Sequence, residues 1–435
     1  MDFFKKNSAK LAFLFFVILI SFYRSPYIFL NGRFIAEEAD QHYLFALNNS
    51  FLTNLFYYVE FAGYYNLIPN ITTWFATLVS IENAPYVTVY SSFLIILLLP
   101  YLVLFRESLL FKSEKQRIVA SFILFLTPPF VVEIWLNTLN SQIYLCIISI
   151  LILFMKNLNN FQKKINNFLI LISGFSGIYS CSLLPLYIHK YFKNQNNYNL
   201  INLCFLIIAN IIQLFLIFKS YITNKLHYSV LSDDYNFEIL SNFIYNIFVK
   251  SFFGRDLTHL IWNKINVFGD NHNLYILFTL LIFICIALIN AKKIIIFFKK
   301  DLVSIYLISM FIIISFIILV GSINNQIGGR YAVLPSVVLI LLVLHFYNEL
   351  KNKILMNIFL ILISSSLITG IYEFRPNYKI NLKNPDLNYL KQLDCLSCPQ
   401  WKSEVQNWRK NNEYIIGLWP YPRKQMKLEI KNVIK

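Results

Sequence analysis

Apolar stretches of about 20 residues, the length at which a helix spans a hydrocarbon core, recur along this chain and leave few alternatives to a bundle of membrane-spanning helices. About eleven such stretches begin near residues 10, 84, 118, 140, 165, 180, 198, 273, 302, 332 and 353. Composition agrees: 57% of the 435 residues are hydrophobic and 14% charged, and the mean hydropathy of +0.56 lies outside the range of water-soluble domains. The expected fold class is all-α and polytopic. The pair between residues 165 and 192 is short and broken by Gly174, Gly177 and Pro185, which reads as two tilted half-length helices.

A net charge of +16 would suit nucleic acid only as a continuous basic patch on a soluble surface. Here the basic residues form short clusters between apolar runs, so no nucleic-acid partner is expected. Lys and Arg are retained in cytoplasmic loops, and every second loop is basic: Lys5/Lys6/Lys10, Arg106/Lys112/Lys115/Arg117, Lys156/Lys163/Lys164, Lys190/Lys193, Lys292/Lys293/Lys299/Lys300 and Lys351/Lys353. With an odd number of spans the amino terminus is inside and the carboxyl terminus outside. The first stretch opens like a signal peptide, but Arg24 follows and no small-residue cleavage site does, so it reads as an uncleaved anchor.

Residues 1–372 are then a transmembrane bundle with outer loops at 31–83 and 220–272, and residues 373–435 a small outer domain. Trp401, Trp408 and Trp419, followed by Pro420 and Pro422, suggest a folded tail that could cap the bundle. Cys146, Cys181, Cys204 and Cys285 fall inside apolar runs, where a thiol behaves as a small hydrophobe. Cys395-Leu396-Ser397-Cys398 reads as a redox motif, half of a metal site or a structural disulfide; zinc would need a second Cys or His pair, and outside the membrane a disulfide is the expected state. Asn70-Ile71-Thr72 is attributed to an Asn-rich composition. No internal repeat is evident.

The densest ionisable cluster follows the first span: Glu37, Glu38, Asp40 and His42. A helix starting near Ala36 pairs Glu37 with Asp40 and Glu38 with His42 on neighbouring faces. One of the acids could serve as a general base, its pKa raised by its neighbours and by burial; acids also favour a first helical turn for its dipole alone. The run from Tyr57 to Pro69, which includes Tyr64, is rich in aromatics and reads as an interface-lying segment, either anchoring or shaping a sugar or lipid pocket. Glu133 follows Pro128-Pro129 at the outer end of a span, where an ionisable residue is costly and often functional. Arg330, with Tyr331, follows Gly328-Gly329 at the outer mouth of a later span. Its guanidinium either binds phosphate near a helix N-terminus or snorkels. Arg255, Asp256 and His259 are explained equally well by a loop ion pair or by substrate contact.

This arrangement resembles the GT-C superfamily, the multispan glycosyltransferases that use polyprenyl-phosphate sugars on the outer membrane face. The similarity covers the first span, the acid-bearing first loop, the interface helices, the broken pair near 174–185 and the outer tail. It is closer to a poorly characterised bacterial group whose first loop reads Arg-Phe-Trp-Ala-Glu-Asp-Gly. Here that stretch is Arg33-Phe34-Ile35-Ala36-Glu37-Glu38-Ala39, with Gly63 to Pro69 and Arg330-Tyr331 as further matches and Trp401, Trp408-Arg409 and Trp419-Pro420 in the tail.

The resemblance implies an inverting enzyme of a bacterial inner membrane. Its donor would be a polyprenyl-phosphate-linked sugar and its acceptor a glycan, lipid or protein. Glu37 or Glu38 would be the base and Arg330 the phosphate clamp, with Asp40, His42, Tyr64, Glu133 and Tyr331 as binding residues. Some members use a divalent cation, Mg or Mn, which Glu37, Glu38 and Asp40 could hold. Two alternatives remain open: a transporter or flippase of a lipid-linked saccharide, and an oligosaccharide polymerase or ligase. A transporter should carry ionisable residues near the middle of its spans, which this chain largely lacks.

Overall fold

The computed structural model describes residues 2–126, 132–226, 243–254, 258, 301–321, 329–349, 353–374, 399–419 and 424–428. It is mostly helical. In chain order the larger elements are α1 (Asp2–Arg24), α2 (Pro26–Asn31), α3 (Leu44–Asn48), α4 (Phe51–Leu55), β1 (Tyr58–Val59), β2 (Tyr64–Tyr65), α5 (Leu67–Ala76), α6 (Ala84–Phe105) and α7 (Glu114–Leu126). They continue as α8 (Ser141–Leu153), α9 (Asn160–Phe175), α10 (Leu184–Lys193), α11 (Asn197–Ile222), α12 (Leu302–Gly321), α13 (Arg330–Glu349), α14 (Lys353–Glu373), α15 (Trp401–Lys410), β3 (Ile415–Leu418) and β4 (Lys424–Lys427).

Helices begin near every position marked by the apolar stretches except the one near residue 273, which lies outside the described residues. Six of them, α1, α6, α11, α12, α13 and α14, are long and apolar enough to cross a membrane; of the other expected stretches, the one near residue 273 lies outside the described residues and α7 ends at Leu126, beyond which residues 127–131 lie outside them as well. The remaining three are short for a physical reason. Helices α8 (13 residues), α9 (16) and α10 (10) reach only about 15–24 Å at 1.5 Å per residue, short of a hydrocarbon core of about 30 Å. All 13 residues of α8 are buried: it is a pillar inside the bundle whose apolarity serves protein contacts. Helices α9 and α10 are the expected half-length pair, separated by Gly177 and a 3-10 turn at Ser180–Leu183.

The bundle has two chemically distinct ends. Helix α13 starts at Arg330 and finishes at Glu349, whose carboxylate pairs with Lys112 at 2.6 Å, and Lys10 near the start of α1 pairs with Glu114 at 3.0 Å. Among the described residues, the basic loops around Lys10, Lys112 and Glu349 thus meet at one end. The opposite end carries the loop of residues 31–83.

In that loop the aromatic run forms a tight hairpin: β1 pairs antiparallel with β2 in the register Tyr58↔Tyr65 and Val59↔Tyr64. Gln213 of α11 brackets the hairpin, its Oε1 accepting from the Tyr65 N–H at 2.8 Å and its Nε2 donating to the Tyr65 carbonyl at 2.9 Å. Around it, α4 and α5 leave Leu52, Phe56, Phe75 and Leu78 exposed, an apolar surface of the kind expected of interface helices.

The described part of the tail shares its core with this loop. Trp401, Val405, Ile416, Leu418 and Met426 pack with Phe34, Tyr43 and Ile81, and the Trp401 indole N–H donates to the Ile81 carbonyl at 2.7 Å. Arg409 adds an ion pair to Glu82 at 2.7 Å.

Candidate functional site

Two connections at this end of the bundle are bent against the preference of L-residues. Ala36 (φ 45°) and Leu136 (φ 51°) both occupy the left-handed region, which costs a residue with a side chain about 1–2 kcal/mol. Both are held by their neighbours. The Ala36 N–H donates to the Trp419 carbonyl at 2.7 Å. Trp135, just before Leu136, is fully buried; its indole donates to Ser25 Oγ at 2.8 Å and its carbonyl accepts from Arg33 Nη2 at 3.2 Å. Strain retained in this way tends to mark functional sites.

Beyond Ala36 the chain forms a π-helical turn, Glu38–Tyr43, in which the Leu44 N–H reaches the Ala39 carbonyl. This wider turn replaces the α-helical spacing read from the sequence, and it sorts the acids differently. Glu38 and His42 do not form a pair. Glu38 is 0% exposed and faces inward. Its Oε1 accepts from the Thr138 N–H at 3.0 Å and from the Thr138 hydroxyl, and its Oε2 accepts from the Ile35 N–H at 3.3 Å. Burial pushes its carboxyl up to about 7 against those bonds and the nearby Arg33 charge.

Glu37 and His42, five residues apart, instead line one cavity of about 160 Å³ together with Tyr64, Tyr179, Arg330 and Tyr331. The turn is one in which residues five apart become neighbours. Lys424 approaches Glu37 from the tail: its Nζ lies 2.8 Å from Glu37 Oε1 and 3.9 Å from Asp40 Oδ2. The period-2 alternation of a strand puts Lys424 on the same face of β4 as the buried Met426, so the packing of the hairpin brings the ammonium here. Burial raises the Glu37 carboxyl, but the hydrogen bond and charge of Lys424 outweigh it, and the group titrates below its ordinary value. At Asp40 burial dominates and the pKa is raised.

His42 is held in one tautomer. Asn70 Nδ2 donates to the Tyr57 carbonyl at 2.6 Å and the Leu55 carbonyl at 3.3 Å, so Asn70 Oδ1 is the atom that meets His42 Nδ1, at 2.8 Å. An amide oxygen only accepts; Nδ1 therefore carries the hydrogen, and in the neutral ring Nε2 is an acceptor. Burial holds the imidazole down to about 4, so it is neutral at physiological pH.

Across the cavity, Arg330 opens α13, and its one hydrogen bond among the described residues runs from Nη2 to the Tyr331 hydroxyl at 3.3 Å. Glu133 lies in a 3-10 turn outside the cavity lining and attracts Arg330 electrostatically. Its carbonyl accepts from Asn137 Nδ2 at 3.0 Å and Asn140 Nδ2 at 2.9 Å, which fixes the turn. Tyr64 receives a hydrogen bond from Gln142 Nε2 at 3.1 Å. The acids do not converge as a metal-ligand set: Glu38 has both oxygens engaged in the interior, Lys424 contacts both Glu37 and Asp40, and no group of three potential ligands occurs among the described residues. Arg255, Asp256, His259, Cys285, Cys395 and Cys398 lie outside the described residues. Cys146 and Cys181 are buried free thiols and Cys204 an exposed one.

Sequence reasoning missed Lys424, Asn70, Gln142 and Tyr179. Gly177 shows how closely the last two regions fit. Its φ is 98°, and a Cβ there would lie 1.9 Å from Gln142 Oε1 and 3.0 Å from Gln142 Cβ. Gly177→Ala is expected to push Gln142 off Tyr64 and to destabilise the fold by at least about 1–2 kcal/mol from the backbone alone, read as a lowered thermal midpoint in detergent. An unchanged midpoint would mean the segment re-forms with negative φ.

No known protein family, curated protein or solved structure matches this chain.

Proposed function

We propose that this protein is a GT-C-type glycosyltransferase that moves a sugar from a polyprenyl-phosphate carrier to an acceptor hydroxyl on a glycan, lipid or protein at the outer face of a bacterial inner membrane. The observation that carries this reading is a carboxylate, Glu37, and a guanidinium, Arg330, lining one tyrosine-walled cavity at the end of the bundle away from the basic loops. Inverting transfer needs those two groups. Glu37 accepts the proton of the acceptor hydroxyl as its oxygen bonds to the anomeric carbon, and the bond from that carbon to the phosphate oxygen breaks. The lipid phosphate leaves with the electron pair and is neutralised by Arg330.

Arg330 suits that role because four of its five N–H donors carry no bond to the described residues, and its place at the N-terminus of α13 adds the positive end of a helix dipole. Lys424 keeps Glu37 ionised and ready to accept a proton. Neutral His42 offers Nε2 to a substrate hydroxyl, and the phenols of Tyr64 and Tyr179 with the amide of Gln142 supply the flat faces and hydrogen bonds that sugars use.

The test is transfer of labelled sugar from polyprenyl-phosphate donors by purified protein in detergent. Arg330→Ala is expected to lose roughly 10²- to 10³-fold in turnover, the range for removing one preorganised charge stabiliser, and Arg330→Lys to lose less. A wild-type protein that transfers nothing across a broad donor panel, yet moves lipid-linked saccharide between leaflets in liposomes, would replace this reading with transport.

A further inference from the structure

The end of the bundle opposite the candidate site holds a second cavity, about 320 Å³ in volume. Helix α8 starts beside the first cavity, at Ser141, and its last residue, Leu153, lines the second, so about 20 Å of helix separates the two. The walls are apolar, formed chiefly by Leu153, Phe154, Leu302 and Tyr306, while Lys190 and Lys193 bring two ammonium groups to the space. Lys190 is drawn inward: its Nζ donates to the Leu153 carbonyl at 2.5 Å, and an ammonium has two further N–H donors. Lys193, the last residue of α10, is exposed.

Asn194 also lines the space, and two further polar groups nearby are engaged elsewhere. The Tyr306 hydroxyl meets His189 Nδ1 at 2.6 Å. Asp301, at the start of α12, accepts from the Val303 and Ser304 N–H groups at 3.2 and 3.3 Å and pairs with His345 at 2.5 Å. The cavity is left with positive charge beside an apolar wall. A soluble anion satisfies only the first of these features and a neutral lipid only the second.

We propose that this cavity binds an anionic phospholipid of the adjacent leaflet, its phosphate between Lys190 and Lys193 and an acyl chain along Leu153, Phe154 and Leu302. Position supports the choice of occupant. The pocket opens at the end where the basic loops gather, and basic residues at a membrane surface draw anionic lipid. A zwitterionic lipid presents the same phosphate with its charge already offset by its own ammonium, so the pocket discriminates by net charge. The proposal is independent of the transfer chemistry at the other end.

The experiment is native mass spectrometry of delipidated protein in detergent, titrated with phosphatidylglycerol, phosphatidylcholine or inorganic phosphate. Wild type is expected to retain phosphatidylglycerol in preference to phosphatidylcholine. Lys193→Gln should weaken that retention roughly fivefold, the scale for one basic residue at an anionic surface, and Lys190→Gln with Lys193→Gln should bring it close to background. Lys164→Gln, an exposed basic residue elsewhere at this end, should leave it unchanged. Should Lys190→Gln fail to fold, the Lys193 and Lys164 variants carry the test alone. Equal binding of the two lipids, equal weakening by Lys164→Gln, or displacement of bound lipid by inorganic phosphate would each overturn the proposal.

Discussion

Glu37→Gln is expected to abolish sugar transfer in a protein that remains folded, whereas Glu38→Ala is expected to cost the fold itself. The two residues are adjacent in sequence, and their surroundings separate them. The Glu37 side chain is 30% exposed and its partner Lys424 35%; an ion pair of that exposure contributes about 0–1 kcal/mol, and the Gln amide oxygen still accepts from Lys424. What the substitution removes is the proton acceptor, an effect of about 10²- to 10⁴-fold in turnover.

Glu38 is wholly buried, and alanine in its place leaves the Thr138 N–H, the Thr138 hydroxyl and the Ile35 N–H without their acceptor. Each stranded buried donor costs about 1–3 kcal/mol, a large part of the roughly 5–15 kcal/mol that holds a typical protein folded. Thermal unfolding and transfer activity measured on the same preparations distinguish the two effects. A folded but inactive Glu38→Ala beside an active Glu37→Gln would move the base to Glu38.

The helices were legible because they depend on local composition: runs of apolar residues set them, and the basic loops that ion pairs join among the described residues share one end. The lengths of α8, α9 and α10 were less so. A helix buried inside a membrane protein is as apolar as one that spans it, and only the packing around Ser141–Leu153 distinguishes them. Of the residues lining the cavity, Glu37, His42, Tyr64, Arg330 and Tyr331 were also marked in advance, since three acids and an imidazole within six positions are rare in so apolar a chain, as is a lone arginine after two glycines.

Their division of labour was not legible. The π-turn at Glu38–Tyr43 replaces the α-helical neighbour rule and sends Glu38 inward, to a partner 100 residues away. Lys424 meets Glu37 across 387 residues, and its only sequence signal is alternation with Met426 in a four-residue strand. Asn70 was read as part of a compositional motif, although it fixes the histidine tautomer. Contacts of that separation are made by the tertiary fold, and no local pattern carries them.

Between about pH 4.5 and 6.5 the contributions of His42 and Glu38 to stability are expected to oppose each other in the wild-type protein, and His42→Asn is expected to lose stability with rising pH relative to it. Two buried groups with opposite requirements produce this. Burial lowers His42 from its ordinary 6.5 to about 4, so as pH falls through 6.5 the unfolded chain takes up a proton that the folded chain refuses. The stability His42 contributes is complete above pH 6.5 and lost as pH falls to about 4, a change of about 3 kcal/mol at 1.36 kcal/mol per unit. Burial raises Glu38 from 4.5 to about 7, so the folded chain keeps a proton the unfolded chain has released. That contribution is complete below pH 4.5 and lost as pH rises to about 7, again about 3 kcal/mol.

Over the shared window one term rises with pH while the other falls. Asparagine at position 42 can donate its Nδ2–H to Asn70 Oδ1 in place of the imidazole Nδ1–H, preserving the contact while removing the titration. The Glu38 term is then unopposed by His42, and the unfolding midpoint of His42→Asn should fall from pH 4.5 to 6.5 relative to that of the wild type. Thermal unfolding in detergent across that range measures it. A variant profile parallel to the wild type would mean that His42 takes up its proton as readily in the folded protein as in the unfolded chain. Below about pH 6.5 it would then have no free acceptor at Nε2 to offer a substrate.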